Sequence, residues 1–136
     1  MAALPKLIII TGATATGKSA FIYRELAGLK LNIINADSRQ VYRHLRISSA
    51  GPDDNELRLF PHFLYHFQRE QDVFSAGEYV RLAKAAIEQS RAEGRLPLIC
   101  GGTYFYIQAL LGGLLPPIEI SDATRTVLLE AAAWNF

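Results

Sequence analysis

Leu7-Ile8-Ile9-Ile10-Thr11-Gly12-Ala13-Thr14-Ala15-Thr16-Gly17-Lys18-Ser19 is the stretch that decides the fold. A short apolar run is followed by the pattern G-x-x-x-x-G-K-S, which is typical of a strand, a phosphate-binding loop and the start of a helix. Glycines let the backbone turn tightly so that its N–H groups converge on an anion, and the helix start adds its positive dipole end. The residues that we predict to bind the phosphates of a nucleotide or diphosphate are Gly12, Ala13, Thr14, Ala15, Thr16, Gly17, Lys18 and Ser19.

The last two residues of this loop carry its side-chain chemistry. The Lys18 ammonium group can reach a terminal phosphate, and the Ser19 hydroxyl can bind Mg²⁺, the one cofactor that we expect. A chance glycine turn between a strand and a helix would not explain a lysine and a serine directly after the second glycine. The pattern is shared with ATP-binding proteins, so it predicts a phosphate site without naming the ligand.

The composition is that of an ordinary globular protein. Half of the 136 residues are hydrophobic and a fifth are charged, which suits one domain over residues 1–136. The formal net charge of +1 gives no overall basic field that would indicate a nucleic-acid-binding protein. Cys100 is the only cysteine, and we interpret it as a small core residue. No apolar run of about 20 residues and no leader before the first strand is present, so we expect a cytoplasmic protein.

Apolar runs and helix signals alternate along the chain. This alternation predicts an α/β protein with a parallel sheet flanked by helices. Ser75 and Glu78 have the spacing of a capping box at the start of the longest helix. We predict strands at 6–11, 31–35, 62–67 and 96–100, a loop at 48–56, and helices at 17–29, 39–43, 76–93, 103–111 and 122–133. Ala20, Phe21, Leu26 and Ala27 are available for packing in the first helix, and Tyr104, Phe105 and Tyr106 are expected in the core and pocket wall.

Three special turns follow the carboxyl ends of predicted strands. They begin at Gly12, Asp37 and Gly101, and ligands of parallel sheets bind at this edge. The Asp37 carboxylate can hold Mg²⁺ or take a proton from a nucleophile. Its alternative role is the N-cap of a following helix, since a carboxylate there accepts backbone N–H bonds.

Two further features keep a structural and a functional interpretation open. Thr103, after the glycine pair that ends the last strand, can donate a hydrogen bond to a phosphate oxygen or cap the next helix. Arg39, Arg43 and Arg46 would share one face if their segment were helical. Such a row can bind the phosphates of a nucleic acid, or it can be a solvated basic face.

Three segments taken together are more specific than any one of them. The phosphate loop 12–19, the run Ala36-Asp37-Ser38-Arg39-Gln40-Val41-Tyr42-Arg43 and the run 97–106 occur in this order. The sequence resembles the tRNA dimethylallyltransferase (tRNA isopentenyltransferase) family over residues from about 7 to 125. The resemblance implies a P-loop NTPase-like core. It also implies transfer of a dimethylallyl group from its diphosphate to N6 of the adenosine beside the tRNA anticodon.

The resemblance also implies roles for single residues. Asp37 resembles the base that deprotonates the attacking amine, while Lys18 and Thr103 would act on the diphosphate with Mg²⁺ at Ser19. The implied partners are tRNA and dimethylallyl diphosphate, and we expect a monomer. By similarity, the tRNA contacts are Asp37, Ser38, Arg39, Gln40, Thr103 and Arg125.

The chain departs from the family pattern in places. Ala13 stands where proline is common, Gly51 replaces a lysine and Phe63 replaces a histidine. Family members are considerably longer, so we expect a fragment or a truncated chain whose core is incomplete at the carboxyl end. Three alternatives therefore stay open: an isopentenyltransferase acting on free adenine nucleotides, a small-molecule kinase of the shikimate or nucleotide kinase type, and an inactive diphosphate-binding domain.

Overall fold

The computed structural model of the protein describes residues 6–45, 48–116 and 120–133. Strands and helices alternate along these residues, which confirms the predicted α/β class. A single turn of 3₁₀ helix lies at Arg43–Leu45. The elements are β1 (Ile8–Thr11), α1 (Lys18–Glu25), β2 (Leu31–Asn35), α2 (Asp54–Leu59), β3 (His62–Phe63), α3 (Ala76–Ala92), β4 (Leu96–Gly101), α4 (Tyr104–Gly112) and α5 (Asp122–Ala133).

The four strands form one parallel sheet in the order β1-β4-β2-β3. The last strand of the described residues, β4, lies between the first two: Ile99 is the partner of Ile9 on one side and of Ile34 on the other. Because all strands run the same way, the turns that follow β1, β2 and β4 meet at one edge of the sheet. The sheet thus brings the three predicted turns together.

The core lies on both faces of the two central strands. On one face, Ile34 and Ile99 pack in a buried cluster with Tyr79 of α3. On the other face, Ile33 and Leu98 pack with Ile22 of α1. Burying each such aliphatic side chain stabilises the fold by about 1.5–3 kcal/mol. Side chains of β2 and β4 face both layers, and this explains why their sequences are continuous apolar runs rather than alternating ones.

The continuous apolar run of β1 predicts a buried strand, but β1 is less buried than the central strands β2 and β4. Ile8, Ile9 and Ile10 are each partly exposed, and the strand begins at Ile8 rather than at Lys6. The reason is its position: among the described residues β1 pairs only with β4, so it lies at the edge of the sheet. An apolar run does not distinguish an edge strand from a central one.

α1 is shorter than predicted and presents a different face to the sheet. It ends at Glu25, and its buried residue is Ile22. Phe21 is 48% exposed, and Ala20 and Ala27 are exposed too, so the prediction that they pack is wrong. Leu26, just after the helix, packs against the same cluster as Ile22, as predicted.

The predicted helix at 39–43 does not form. Asn35 and Asp37 divert the backbone, because the Asp37 N–H donates to Asn35 Oδ1 at 2.8 Å and the Arg39 N–H donates to Asp37 Oδ1 at 2.8 Å. Residues 38–41 form turns, and Tyr42 makes a bridge with Gln68. Arg39 and Arg43 therefore do not share a helical face, and Arg46 lies outside the described residues.

The segment from 48 to 67 also differs from its prediction. A helix, α2, begins at Asp54 inside the predicted loop, because Asp53 and Glu56 form a capping box at its start. The following strand is only His62–Phe63, since Leu64 and His66 take positive φ values of 64° and 49°. Residues with positive φ cannot continue a β-ladder.

α3 and α4 lie where they were predicted, but the capping box predicted at the start of α3 is incomplete. Ser75 caps α3 by accepting from the Glu78 N–H at 3.1 Å, whereas the Glu78 carboxylate pairs with Arg81 instead of completing the capping box. Tyr106 of α4 stacks on Tyr79 with ring centroids 4.4 Å apart.

Tyr104 and Phe105 are 67% and 59% exposed, so their predicted place in the core is wrong. The first turn of α4 directs Tyr106 inward, and at 100° per residue its two predecessors then point away from the sheet. α5 is exposed along its described side chains. In the part of the chain that the structure describes, no helix has the length and apolarity to cross a membrane.

Candidate active site

A cavity of about 240 Å³ opens at the carboxyl edge of the sheet. It lies where the turns after β1, β2 and β4 meet, as the sequence predicted. Its walls therefore combine the phosphate loop with the acidic turn after β2. The lining residues are Thr14, Ala15, Thr16, Gly17, Lys18, Ser19, Ala20, Tyr23, Asp37, Gln40, Ser49, Ala50, Pro52, Tyr65, Cys100 and Gly101.

The phosphate loop is shaped to present backbone N–H groups. Gly17 has φ 85° and forms the N-cap of α1 without any side-chain cap. The first N–H groups of a helix have no partner within the helix, so here they are available to an anion. Ala15 also has a positive φ of 63°, a costly conformation for a residue with a Cβ, of the kind that clusters at functional sites.

Lys18 lies folded over the loop that precedes it. Its Nζ donates to the carbonyl oxygens of Gly12 at 2.8 Å and Ala13 at 2.6 Å. Thr16 Oγ1 also donates to the Ala13 carbonyl, at 2.8 Å. Gly12 and Ala13 therefore support the lysine and are absent from the lining of the cavity, whereas Thr14 to Ser19 face it.

Asp37 holds a turn in place of the helix that it was predicted to cap, and it also lines the cavity. Its Oδ1 accepts from the backbone N–H groups of Arg39 at 2.8 Å and Gln40 at 3.4 Å, as a cap does. Within the described residues its Oδ2 accepts no hydrogen bond, and the half-buried side chain lines the cavity. One oxygen thus fixes the carboxylate and the other stays available to a ligand.

Thr103 connects the last strand to the acidic turn. Its Oγ1 accepts from the Ser38 N–H at 2.8 Å and donates to Ser38 Oγ at 3.2 Å. Thr103 occupies the N-cap position of α4, as one interpretation predicted, but its side chain makes no capping hydrogen bond there. Thr103 and Ser38 lie beside the cavity rather than in its lining, and the predicted contact of Thr103 with a diphosphate stays a prediction.

Gly101 allows the two central strand ends to approach each other. A Cβ at this position would overlap the backbone of Ala36, so only glycine fits. The close approach is secured by two backbone bonds, from the Ala36 N–H to Cys100 O at 2.8 Å and from the Thr103 N–H to Ala36 O at 2.9 Å. The position of Asp37 relative to β4 is consequently rigid.

Gln40 binds the loop residues Ser49 and Ala50, which line the cavity with it. Its Nε2 donates to the carbonyl oxygens of Ser49 at 2.8 Å and Ala50 at 3.2 Å. Asp37 lines the cavity as well, whereas the remaining predicted tRNA contacts lie outside its lining: Ser38 and Thr103 are partly buried, and Arg39 and Arg125 are exposed. The structure therefore gathers the predicted diphosphate residues around one cavity but does not gather all the predicted tRNA residues.

Among the lining residues that were not predicted as part of the site, Tyr23, Tyr65 and Cys100 carry titratable side chains. Burial, opposed by the charge of Lys18, raises the pKa of the Cys100 thiol to about 11. Burial also raises the pKa of both tyrosines well above the usual value, so all three groups are neutral near pH 7. Tyr23 follows Ser19 by four residues on one helix, and this spacing was the available signal.

The donors in the cavity fit a Mg²⁺ ion that shares its ligands with a diphosphate. Mg²⁺ prefers oxygen ligands and commonly takes one or two from protein, the others from phosphates and water. The Ser19 hydroxyl and the Asp37 carboxylate line the same cavity and provide such oxygens. No cluster of three metal-binding His, Cys, Asp or Glu side chains occurs among residues 6–45, 48–116 and 120–133, so an all-protein metal cage is absent from that part.

The fold and the cavity together define an α/β protein with a phosphate-binding loop at the carboxyl edge of a parallel sheet. Comparison with known families is more specific. The family model of the IPP transferases matches residues 40–135, and the chain belongs to this family.

Relatives and solved structures agree with this assignment. The tRNA dimethylallyltransferase 1 of Syntrophotalea carbinolica is 39% identical over 127 residues, which are 93% of this chain and 40% of that protein. The tRNA dimethylallyltransferase of Rhodopseudomonas palustris is 46% identical over 125 residues, which are 89% of this chain and 39% of that protein. The chain thus spans about two fifths of the length of these relatives.

Two crystal structures have the same fold. The tRNA isopentenylpyrophosphate transferase of Bacillus halodurans is 31% identical with a TM-score of 0.79, covering 98% of this chain and 44% of that one. The tRNA delta(2)-isopentenylpyrophosphate transferase of Staphylococcus epidermidis is 34% identical with a TM-score of 0.75, covering 96% of this chain and 42% of that one. Both confirm the predicted family and the P-loop NTPase-like fold.

Proposed function

We propose that this chain supplies the diphosphate-binding part of an enzyme that transfers a dimethylallyl group to tRNA. The donor is dimethylallyl diphosphate, and the acceptor is N6 of the adenosine next to the anticodon. The names of the relatives support this reaction, since they are tRNA dimethylallyltransferases. The single observation that carries the proposal is that the phosphate loop and Asp37 line one cavity.

The chemistry of the transfer matches what each wall of the cavity offers. A bond forms between N6 of the adenosine and C1 of the dimethylallyl group, while the bond from C1 to the diphosphate oxygen breaks. The loop N–H groups and Lys18 stabilise the negative charge that develops on the departing pyrophosphate. Asp37 takes the proton that the amine loses, through the oxygen that its cap leaves available.

Magnesium and the macromolecular partner complete the proposal. Mg²⁺ at Ser19 neutralises charge on the diphosphate when it is bound. The tRNA lies over the open side of the cavity, where Ser38 and the exposed Arg39 contact it, and the exposed Arg125 contacts it from α5. We further propose a cytoplasmic monomer, the compartment following from the proposed tRNA acceptor.

A competition between ligands tests the proposal. Purified protein is titrated by calorimetry with dimethylallyl diphosphate and with ATP, each with Mg²⁺, and then incubated with labelled donor and either tRNA or AMP. We expect dimethylallyl diphosphate to bind more tightly than ATP and the label to reach tRNA. Tight binding of ATP alone would identify a kinase, and labelling of AMP in preference to tRNA would identify a transferase for free nucleotides.

A further inference from the structure

Tyr23 is placed next to the proposed cation site by the geometry of α1. It follows Ser19 by four residues, so both side chains lie on the same face of the helix and one turn apart. Side chains of a helix lean toward its N-terminus, which directs the ring of Tyr23 back toward Ser19. Both residues line the cavity.

A chain of hydrogen bonds determines where the hydroxyl proton of Tyr23 points. His62 Nδ1 lies 2.8 Å from the carbonyl oxygen of Phe60, and because a carbonyl oxygen only accepts, Nδ1 carries the proton. Burial lowers the pKa of His62, so the ring is neutral and its Nε2 has no proton. Tyr23 Oη lies 3.0 Å from this Nε2 and must donate to it.

The hydroxyl oxygen of Tyr23 is therefore available to the cavity only as an acceptor. Burial, reinforced by the charge of Glu56, raises the pKa of the phenol, so the oxygen carries no formal charge. The neighbouring wall consists of donors for an anion: the loop N–H groups, Lys18 and Ser19. An acceptor beside a diphosphate is unfavourable unless a hydrogen-bond donor lies between them. Water bound to Mg²⁺ is such a donor.

We propose that Tyr23 is a positioning residue that accepts a hydrogen bond from water bound to the Mg²⁺ ion of the diphosphate complex. The inference rests on the proposed function, because it requires that a diphosphate bind in this cavity. The relay Phe60–His62–Tyr23 fixes the direction of the acceptor before the ligand arrives, and Ser19 fixes the ion one turn earlier. No covalent step involves Tyr23.

The test compares Tyr23→Phe with the unaltered full chain. The affinity for inorganic pyrophosphate is measured by calorimetry with Mg²⁺ and again with a chelator and no metal. We expect Tyr23→Phe to weaken binding roughly 3–10-fold with Mg²⁺, as loss of one hydrogen bond implies, and not to weaken metal-free binding, since the unfavourable acceptor is then removed. Equal losses under both conditions, or no loss with Mg²⁺, would overturn the inference.

Tyr79→Phe is the matched control, since it also removes one buried phenolic hydroxyl. Tyr79 lies in α3 under the sheet and outside the cavity, so we expect no change under either condition. His62→Phe provides a second readout. Without its acceptor, the Tyr23 hydroxyl is free to donate to pyrophosphate directly, so metal-free binding should tighten and the advantage given by Mg²⁺ should shrink.

The two proposals fail in different ways. If the unaltered protein does not bind pyrophosphate, the proposed function fails and this inference falls with it. If the unaltered protein binds with a Mg²⁺ advantage that Tyr23→Phe keeps in full, only the inference about Tyr23 is wrong. Melting curves of each variant show whether a loss of binding reflects unfolding.

Discussion

Lys18 is the residue on which phosphate binding should depend most directly. Its ammonium group already donates to two loop carbonyls, so a bound phosphate oxygen joins or replaces these acceptors. We expect Lys18→Ala to weaken pyrophosphate binding about 10–100-fold, the range for a hydrogen bond to a charged group. Calorimetry measures the change. Lys84→Ala, which removes an exposed lysine from α3, is the control, and equal losses in both variants would contradict the assignment.

Asp37 should affect transfer and not donor binding. Asp37→Asn keeps an oxygen that can accept from the Arg39 N–H, so the turn is retained while the base is lost. We expect the rate of prenyl transfer to fall about 10²–10⁴-fold and the affinity for dimethylallyl diphosphate, measured without Mg²⁺, to stay the same. Asp53→Asn, at the N-cap of α2, serves as the control. Normal transfer by Asp37→Asn would remove Asp37 from the role of base.

Cys100 should be unreactive although it lines the cavity. Its pKa is raised to about 11 by burial, so at pH 8 its thiolate population is roughly 100-fold below that of an ordinary thiol. We expect native protein to react with iodoacetamide at least that much more slowly than unfolded protein. The raised pKa also means that the unfolded chain loses this proton first, so stability falls as pH rises above about 9. Equal alkylation rates of native and unfolded protein at pH 8 would contradict the burial of the thiol.

The sequence identified the residues whose pattern is local and missed those whose position depends on distant parts of the chain. The phosphate loop and Asp37 follow from short spacings, and the structure places them in one cavity. Tyr65 was not recognised, because its place in the lining depends on the turn at Leu64 and His66. Tyr23 was recognisable only once its partner His62, 39 residues further on, was known.

At the scale of elements, the junction of β2 and β4 is the most constrained part of the sheet. Gly101→Ala would place a Cβ into the backbone of Ala36, and we expect a loss of at least about 1–3 kcal/mol in the free energy of unfolding. Gly112→Ala is the control, because nothing lies within 4 Å of a Cβ added there. Urea denaturation measures the free energy of unfolding of both variants. Equal stabilities of the two variants would show that the strands can separate without cost.

The prediction was accurate for α3 and for the central strands, and it failed for the segments at 39–43 and 64–67. α3 combines a capping serine, helical spacing of its buried residues and a glycine after its end, so several signals agree. The segment after β2 has helix-compatible residues, yet the side chains of Asn35 and Asp37 satisfy its backbone groups in a turn. Such competition between a side chain and the helix is decided by three-dimensional contacts that a sequence pattern does not contain.

At the scale of the whole molecule, the described surface includes an apolar stretch on α5. Val127, Leu128 and Leu129 are 63%, 57% and 66% exposed. We expect the protein to bind a hydrophobic dye such as anilinonaphthalene sulfonate, and Leu128→Lys with Leu129→Lys to lower the fluorescence at least twofold. Thr126→Lys, on the same helix, is the control. Unchanged fluorescence in the double variant would show that this stretch does not bind the dye.

The order of the strands sets the distance over which the proposed reaction operates. The phosphate loop follows β1 and Asp37 follows β2, and β4 lies between these two strands. Because neighbouring strands are nearly 5 Å apart, the phosphate loop and the proposed base begin about 10 Å from each other. The spacing of the strands therefore limits the length of the donor that can react. A substrate lengthened by one phosphate would carry its reactive carbon past the carboxylate, and side-chain substitutions in the loop would not correct the offset, because the backbone itself fixes the span.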